Sequence, residues 1–326
     1  MILAGDIGGT KTTLAWVDGG AIVSSRTFPS SDYPSLTEIV RAFVGQKSPD
    51  RLRAACFGIA GPIVNGVAKT TNLPWVIDAN DFRELLGGVP VRLINDLEAI
   101  AYGVPVAGDD AFVTLNEGNA AVRGNAAVIA AGTGLGEAGL FWDGRAYRPF
   151  ASEGGHASFA PRDDLEMGLL RFLLAEHGHV SWERVLSGPG LYNIYRFLKE
   201  EELDDEPAWL AERVQAEDPA AVIAECALNR TSALCVQALG LFVSLYGAEA
   251  GNLALKTLAT GGVFVAGGIA PKILPALIRG GFLESFLAKG RLQSVLQSIP
   301  VRVVVSDTIA LLGAASAAAA SPECAT

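Results

Sequence analysis

Gly5-Asp6-Ile7-Gly8-Gly9-Thr10-Lys11-Thr12 lies between two strand-like runs, Ile2 to Ala4 and Thr12 to Val17. Asp18-Gly19-Gly20 closes the second run as a turn. The chain therefore opens as strand, tight glycine turn, strand. The octapeptide nearly fits G-x-x-x-x-G-K-[ST], with Thr10 in place of the second glycine. A phosphate loop of that type must open a helix, whereas a strand follows here, so the pattern is rejected. A glycine turn between strands can still cradle an anion. Without Cβ atoms the backbone comes close and its N–H groups converge on the charge. Thr10 can add a hydroxyl donor. A carboxylate such as Asp6 beside phosphate makes sense mainly with Mg²⁺ between them. An ordinary hairpin turn is the plain alternative.

The same plan returns later. Ala126 to Ala131 reads as a strand, Gly132-Thr133-Gly134-Leu135-Gly136 as a turn, and Ala138 to Trp142 as a strand. Asp143-Gly144 then signals a hairpin returning through Ala146-Tyr147. The dinucleotide-binding fingerprint fails, because Glu137 occupies its last glycine position and a strand follows. A third glycine turn, Gly267-Gly268, follows the strand Val263 to Ala266 and precedes a predicted helix from Pro271 to Arg279. The repeated unit predicts two lobes on one plan with a cleft between them. Three glycine turns predict three converging contacts to an anion or nucleotide.

Other segments fill in an α/β pattern. Ser35 to Val44 has helical apolar spacing, and Arg53 to Ile59 is a strand ending at Gly61-Pro62. Ala79 to Leu86 is a predicted helix capped by Asn80. Val91 to Ile94 is a strand leading through Asn95-Asp96 into a helix from Leu97 to Tyr102. Leu165 to Leu258 reads mostly helical, broken at Ser187-Gly188-Pro189-Gly190 and around Pro207. Val301 to Val305 is the last strand and Ile309 to Ala320 the last helix, with Asp307 as its cap.

Composition narrows the classes. Half of the 326 residues are hydrophobic and 18% are charged, which excludes disorder. That length predicts two domains. A formal net charge of −10 opposes a generic nucleic-acid binder, which needs a positive field. The first residues lack a basic, apolar leader, so no signal peptide is expected. The apolar tract Ile309–Ala320 is too short to span a bilayer. Cys56, Cys226, Cys235 and Cys324 form no C-x-x-C pair, which predicts reduced thiols in a cytoplasmic protein. Three scattered histidines do not make a zinc site.

At this point a family resemblance emerges. Asp6-Ile7-Gly8-Gly9-Thr10, Gly132-Thr133-Gly134 and Ala266-Gly267-Gly268 resemble the two phosphate motifs and the adenosine motif of the actin/hexokinase/Hsp70 ATPases. Leu93-Ile94-Asn95-Asp96, Glu153-Gly154-Gly155-His156 and the run Gly178 to Leu191, with Glu183 before Ser187-Gly188-Pro189-Gly190, resemble the bacterial ATP-dependent glucokinases. The resemblance runs nearly the whole chain, through Phe264 to Ile269 and Leu311-Leu312-Gly313. The related repressor/open-reading-frame/kinase sugar kinases share the D-x-G-G-T-K start, which Lys11 completes. They carry a Cys-rich zinc motif after E-x-G-H, and no Cys lies between Cys56 and Cys226 here. Lys11 departs from the usual glucokinase pattern and is expected to face solvent.

The resemblance implies an α/β, two-lobed actin-like ATPase (ribonuclease H-like) fold with an active-site cleft between lobes. It implies a small domain of residues 1–106 plus 306–326 and a large domain of 107–305. It implies phosphorylation of glucose at the 6-hydroxyl by Mg-ATP in a cytoplasmic homodimer. ATP contacts fall on Asp6, Gly8, Gly9, Thr10, Gly132, Thr133, Gly134, Gly267 and Gly268, with Asp6 reaching Mg²⁺ through water. Asp96 is the implied general base, and a carboxylate suffices because the hydroxyl proton turns acidic as the P–O bond forms. As a lone residue, Asp96 more commonly serves as a helix N-cap, and it can do both. Asn95, Asp96, Glu153, His156 and Glu183 are the implied sugar ligands, since hexose hydroxyls want carboxylates, an amide and an imidazole. Read singly, His156 is a surface loop histidine and Glu183 a solvated helix charge. Asn72, before Leu73-Pro74-Trp75, is expected to border the sugar.

The acidic run Glu200–Glu206 reads as a solvated loop. Rival readings are a kinase for fructose, mannose or N-acetylmannosamine, a sugar-responsive regulator, and an actin-like or chaperone ATPase. A regulator would need a DNA-binding segment ahead of the first turn and a positive field. An ATPase has no use for the Glu153/His156/Glu183 set.

Overall fold

The computed structural model describes residues 1–45, 52–70, 73–201 and 206–320. Its contacts divide into two compact units, Met1–Ala111 with Ala146–Phe150 and Ser306–Thr326, and Phe112–Arg145 with Ala151–Val305.

In the first unit the opening hairpin pairs Ile2–Ile7 with Lys11–Asp18, in register from Ile2↔Val17 to Ile7↔Thr12. Ile2–Ile7 also runs parallel to Ala54–Ile59, which runs parallel to Val91–Asn95. Ala21–Pro29 completes a five-stranded sheet on the far side of the hairpin. Strand alternation sorts side chains to two faces. Leu3 and Ile7 bury against Leu36, Ile39, Val40 and Phe82 on one side. Ala4 and Ala15 bury against Ala99, Ala310 and Ala314 on the other. A separate three-stranded sheet is built from Ile63–Val64, Val67–Lys69 and Val76–Asp78.

The second unit repeats the opening. Ala126–Ala131 pairs antiparallel with Leu135–Trp142 and parallel with Gly262–Ala266. The full sheet order is Tyr147–Ser152, Leu135–Trp142, Ala126–Ala131, Gly262–Ala266, Val301–Val304, Phe112–Asn116. One face carries the larger apolar core, where Ile129 and Val265 meet Phe242, Tyr246 and Phe282. Helix Ala233–Thr257 runs through that core. By length and composition it could cross a membrane, but 67% of its most apolar stretch is buried among neighbours, as a core helix requires.

Several local expectations are corrected. The first helix to follow the small sheet is Ala79–Leu85, and its cap is Asp78, whose side chain accepts from Asn80 N; Asn80 itself is helical. Sheet pairing leaves Asp78 as the last extended residue, so it takes the capping position. The last helix, Ile309–Ala319, starts after Thr308, which makes no side-chain cap bond, and Asp307 does not cap it. Gly136 lies within a strand, because Leu135–Trp142 begins three residues before the expected start at Ala138. No helix follows Gly267-Gly268 directly; turns intervene until the short helix Leu274–Ile278. Ser187-Gly188-Pro189-Gly190 begins a helix: Ser187 caps Gly188–Glu200, with Pro189 in its first turn. The acidic run lies partly outside the described residues, and Cys324 wholly so. Cys56, Cys226 and Cys235 are buried thiols.

Candidate active site

Asp6 shares a sheet face with Ala4, two residues before it. The same face carries helix Asp96–Gly103, which begins where strand Val91–Asn95 ends. The two carboxyls feel one another. Burial foremost, then the charge of Asp96, push the Asp6 carboxyl up to about 6, while exposed Lys11 pulls it down. Burial also raises Asp96, against hydrogen bonds to its carboxylate from the Leu97 and Asp96 amides and from Asn95. Among the described residues no group of three or more His, Cys, Asp or Glu could hold a metal unaided. A cation at Asp6 would take its other oxygens from phosphate and water. That donor set, and a carboxyl short of counter-charge, fit Mg²⁺.

The cap of this helix is Asn95 rather than Asp96. Asn95 Oδ1 accepts from Leu97 N at 2.9 Å, and its Nδ2 donates to Gly61 O at 3.3 Å. Asp96 is the first helical residue and its Oδ1 also accepts from Leu97 N, at 2.9 Å. The amide cap settles the backbone, and Asp96 is held rigidly at a positive helix end.

The Gly8-Gly9-Thr10 turn closes through Gly8 N to Lys11 O at 3.0 Å. Ser30 grips it from outside. Its Oγ donates to Gly8 O at 2.8 Å, its N donates to Thr10 O at 3.0 Å, and Thr12 Oγ1 donates to Ser30 Oγ at 3.0 Å. Ser30 and Thr12 are both fully buried. No motif marks Ser30; only the pairing Thr12↔Phe28 brings it there.

The Gly132-Thr133-Gly134 turn is held from three directions. Gly132 N donates to Gly134 O, and Gly188 N to Gly132 O, both at 2.8 Å. Glu183 Oε2 accepts from Leu135 N at 3.0 Å. Ser187 supports Glu183 by donating to its carbonyl at 2.7 Å while accepting from Gly190 N at 3.0 Å. Behind the turn, the buried Tyr246 hydroxyl accepts from Ala131 N at 3.1 Å. It also stands 3.2 Å from Ala266 O and 3.3 Å from Ile129 O, to which it can donate. Tyr246 thus pins the strand ends that carry Gly132 and Gly267, and Ile269 N adds a bond to Ala131 O at 3.2 Å. Inside a long apolar helix, Tyr246 gave no sequence signal of this role.

Glu153-Gly154-Gly155-His156 forms a short 3-10 turn after the edge strand. Two backbone bonds, Phe159 N to Val180 O and Trp182 N to Ala157 O, tie residues 157–159 to residues 180–182 at 2.9 and 3.0 Å. His156 and Glu183 consequently line one cavity of about 430 Å³ with Glu176, His177, His179 and Arg184. Its size suits a small polar ligand. All three histidines of the chain meet there, although the sequence scatters them. Glu153 does not line it; its side chain is 91% exposed, with Oε2 3.9 Å from His156 Nε2. Asn72 lies outside the described residues. Glu183 sits in a 3-10 turn, not a helix face, with one oxygen committed to a backbone amide.

The model of the glucokinase family matches residues 3–321. A glucokinase of Nostoc sp. is 43% identical, covering 98% of this chain and 99% of its own. A crystal structure of glucokinase from an Antarctic psychrotroph superposes with TM-score 0.86 at 34% identity, over 98% of this chain and 99% of that one. A ROK family glucokinase from Streptomyces griseus, solved with glucose and AMPPNP, shares the fold at TM-score 0.64 and 21% identity, over 97% and 98% of the two chains. The fold is the actin-like ATPase fold of glucokinases and ROK sugar kinases.

Proposed function

Because the chain belongs to the glucokinase family, we infer that it phosphorylates glucose with ATP, and we propose Asp96 as the base that takes the 6-hydroxyl proton. The 6-oxygen bonds to the γ-phosphorus as the bond to the β-phosphate oxygen breaks. The hydroxyl proton passes to Asp96, and glucose 6-phosphate and ADP result. One observation carries the reading: a buried carboxyl, fixed at a helix start by the Leu97 amide, coupled electrostatically to Asp6 before the first glycine turn. Burial raises Asp96, which makes it a better proton acceptor as the hydroxyl turns acidic.

The glycine turns at Gly8-Gly9-Thr10 and Gly132-Thr133-Gly134 offer backbone and hydroxyl donors to the phosphates, and Gly267-Gly268 borders the nucleoside. Mg²⁺, when bound, offsets charge on the β- and γ-phosphates. Asp6 would hold it through water. Asn95, Glu153, His156 and Glu183 bind the sugar hydroxyls; the shared cavity of His156 and Glu183 supports that part. The expected small domain of 1–106 plus 306–326 and large domain of 107–305 share the 305/306 boundary with the two units, whereas contacts group 107–111 and 146–150 with the first unit. The reading extends to a cytoplasmic homodimer that binds neither nucleic acid nor membrane. The net charge of −10 supports the first exclusion. The dimer rests on the family resemblance alone, and sedimentation tests it.

Asp96→Asn should lower kcat by about 10²–10⁴-fold while the glucose Kd stays within about tenfold. A near-native kcat overturns the assignment of the base. Across a sugar panel kcat/KM should be highest for glucose; a preference for fructose, mannose or N-acetylmannosamine overturns the glucose reading.

A further inference from the structure

Leu135 is the residue on which two separate parts of the sugar machinery meet the second phosphate turn. Its amide is held by Glu183 Oε2 at 3.0 Å. Its carbonyl is pressed by Gly155 so closely that a Cβ there would have no room. Glu183 Oε1 has no hydrogen-bond partner among the described residues, and the side chain lines the 430 Å³ cavity. A Cβ on Gly134 would come within 2.5 Å of Glu183 Oε2, so the turn and the carboxylate fit each other with nothing to spare. Ser187 and Gly188 then tie the Glu183 segment to Gly132 as well.

We infer that Glu183 serves both substrates at once, Oε2 holding the phosphate turn at Leu135 N while Oε1 receives the hexose, so that it is a positioning residue for ATP as well as a sugar ligand. The inference rests on the reading of Glu183 as a hexose ligand. A planar carboxylate links its two oxygens rigidly. Hydroxyls donating to Oε1 restrict the rotation of the whole group and with it the hydrogen bond to Leu135. Sugar in the cavity therefore orders the turn that receives phosphate. By thermodynamic reciprocity, nucleotide on the turn tightens sugar to the same degree. An unliganded Glu183 leaves the turn less ordered, which disfavours ATP turnover before sugar arrives.

Three variants separate the possibilities: Glu183→Ala, Glu183→Gln and Gly134→Ala. For each, the glucose Kd is measured without nucleotide and the AMPPNP Kd with and without saturating glucose, by calorimetry on the full chain. Glu183→Ala should weaken both ligands by roughly tenfold or more, the factor expected for one lost hydrogen bond to a charged group. It should also abolish the tightening of AMPPNP by glucose. Glu183→Gln keeps an acceptor for Leu135 N, so it should restore AMPPNP affinity while glucose stays weakened. Gly134→Ala displaces the carboxylate and should weaken glucose even with no nucleotide present.

If Glu183→Ala weakens glucose alone and leaves AMPPNP and its response to glucose unchanged, the inference is overturned. If it weakens AMPPNP alone, the sugar role of Glu183 fails, and the dual role with it. The two failures are thus distinguishable. Should Gly134→Ala not fold, the Glu183 pair decides the matter by itself.

Discussion

Glu137 stands two residues into the strand that leaves the second glycine turn. It is 1% exposed, and among the described residues its Oε1 has no hydrogen-bond partner. Burial foremost, then the charge of the buried Glu249, hold its carboxyl up at about 7. The charge of Lys256, itself ion-paired with Glu249 at 2.9 Å, opposes this. A native pKa above the ordinary 4.5 means that the folded chain binds this proton more tightly than the unfolded chain. The stability it contributes is complete below about pH 4.5 and is lost as pH rises through about 7. Glu137→Gln cannot ionise and still offers a donor toward Glu249. At pH 8 it should be more stable than the parent by on the order of 3 kcal/mol, and near pH 4 the two should converge. Thermal unfolding across that range checks this; parallel pH profiles would show that Glu137 carries no such penalty. In the sequence Glu137 stood out only for spoiling a fingerprint. Its burial opposite Glu249 required strand and helix to be packed.

At the scale of elements, helices Asp96–Gly103 and Ile309–Ala319 cross at two glycines. A Cβ on Gly313 would overlap Ala99 O and lie 2.6 Å from Gly103 N. Gly313→Val must push the helices apart. Overpacking of this sort should cost about 1–3 kcal/mol. Because Asp96 begins one of these helices, kcat should fall further than the glucose Kd changes. Thermal unfolding together with steady-state kinetics tests both parts, and an unchanged melting point would mean that the helices separate at no cost. The sequence made both helices visible through periodicity and composition. Helix caps were less legible. Asn80 and Asp307 are chemically good caps, yet the N-cap position falls where a strand stops or a turn ends, as at Asp78 and Thr308. Local chemistry ranks the candidates, and the register of the sheet selects among them.

At the scale of the molecule, each unit is organised around a hairpin with a glycine turn and a strand parallel to its first arm. A ligand that binds only the folded chain stabilises it by mass action, about 2.7 kcal/mol at a hundredfold excess over Kd. Glucose alone should therefore raise the melting temperature by several degrees, and a sugar that is not a substrate should raise it less. An identical response to all hexoses would argue against a specific site. Read without coordinates, the amino-acid order already determined the paired hairpins, the glycine turns, the helix that follows Asn95, and the family. Those features are local: a missing Cβ, a period of two or 3.6, a residue beside its neighbour. Only the tertiary structure decided that Ser30 clamps the first turn, that Tyr246 pins two strand ends, and that Glu183 closes on Leu135. Each joins residues 20 to 115 positions apart in the chain. Such partners are chosen by sheet register and helix packing, which no local pattern encodes.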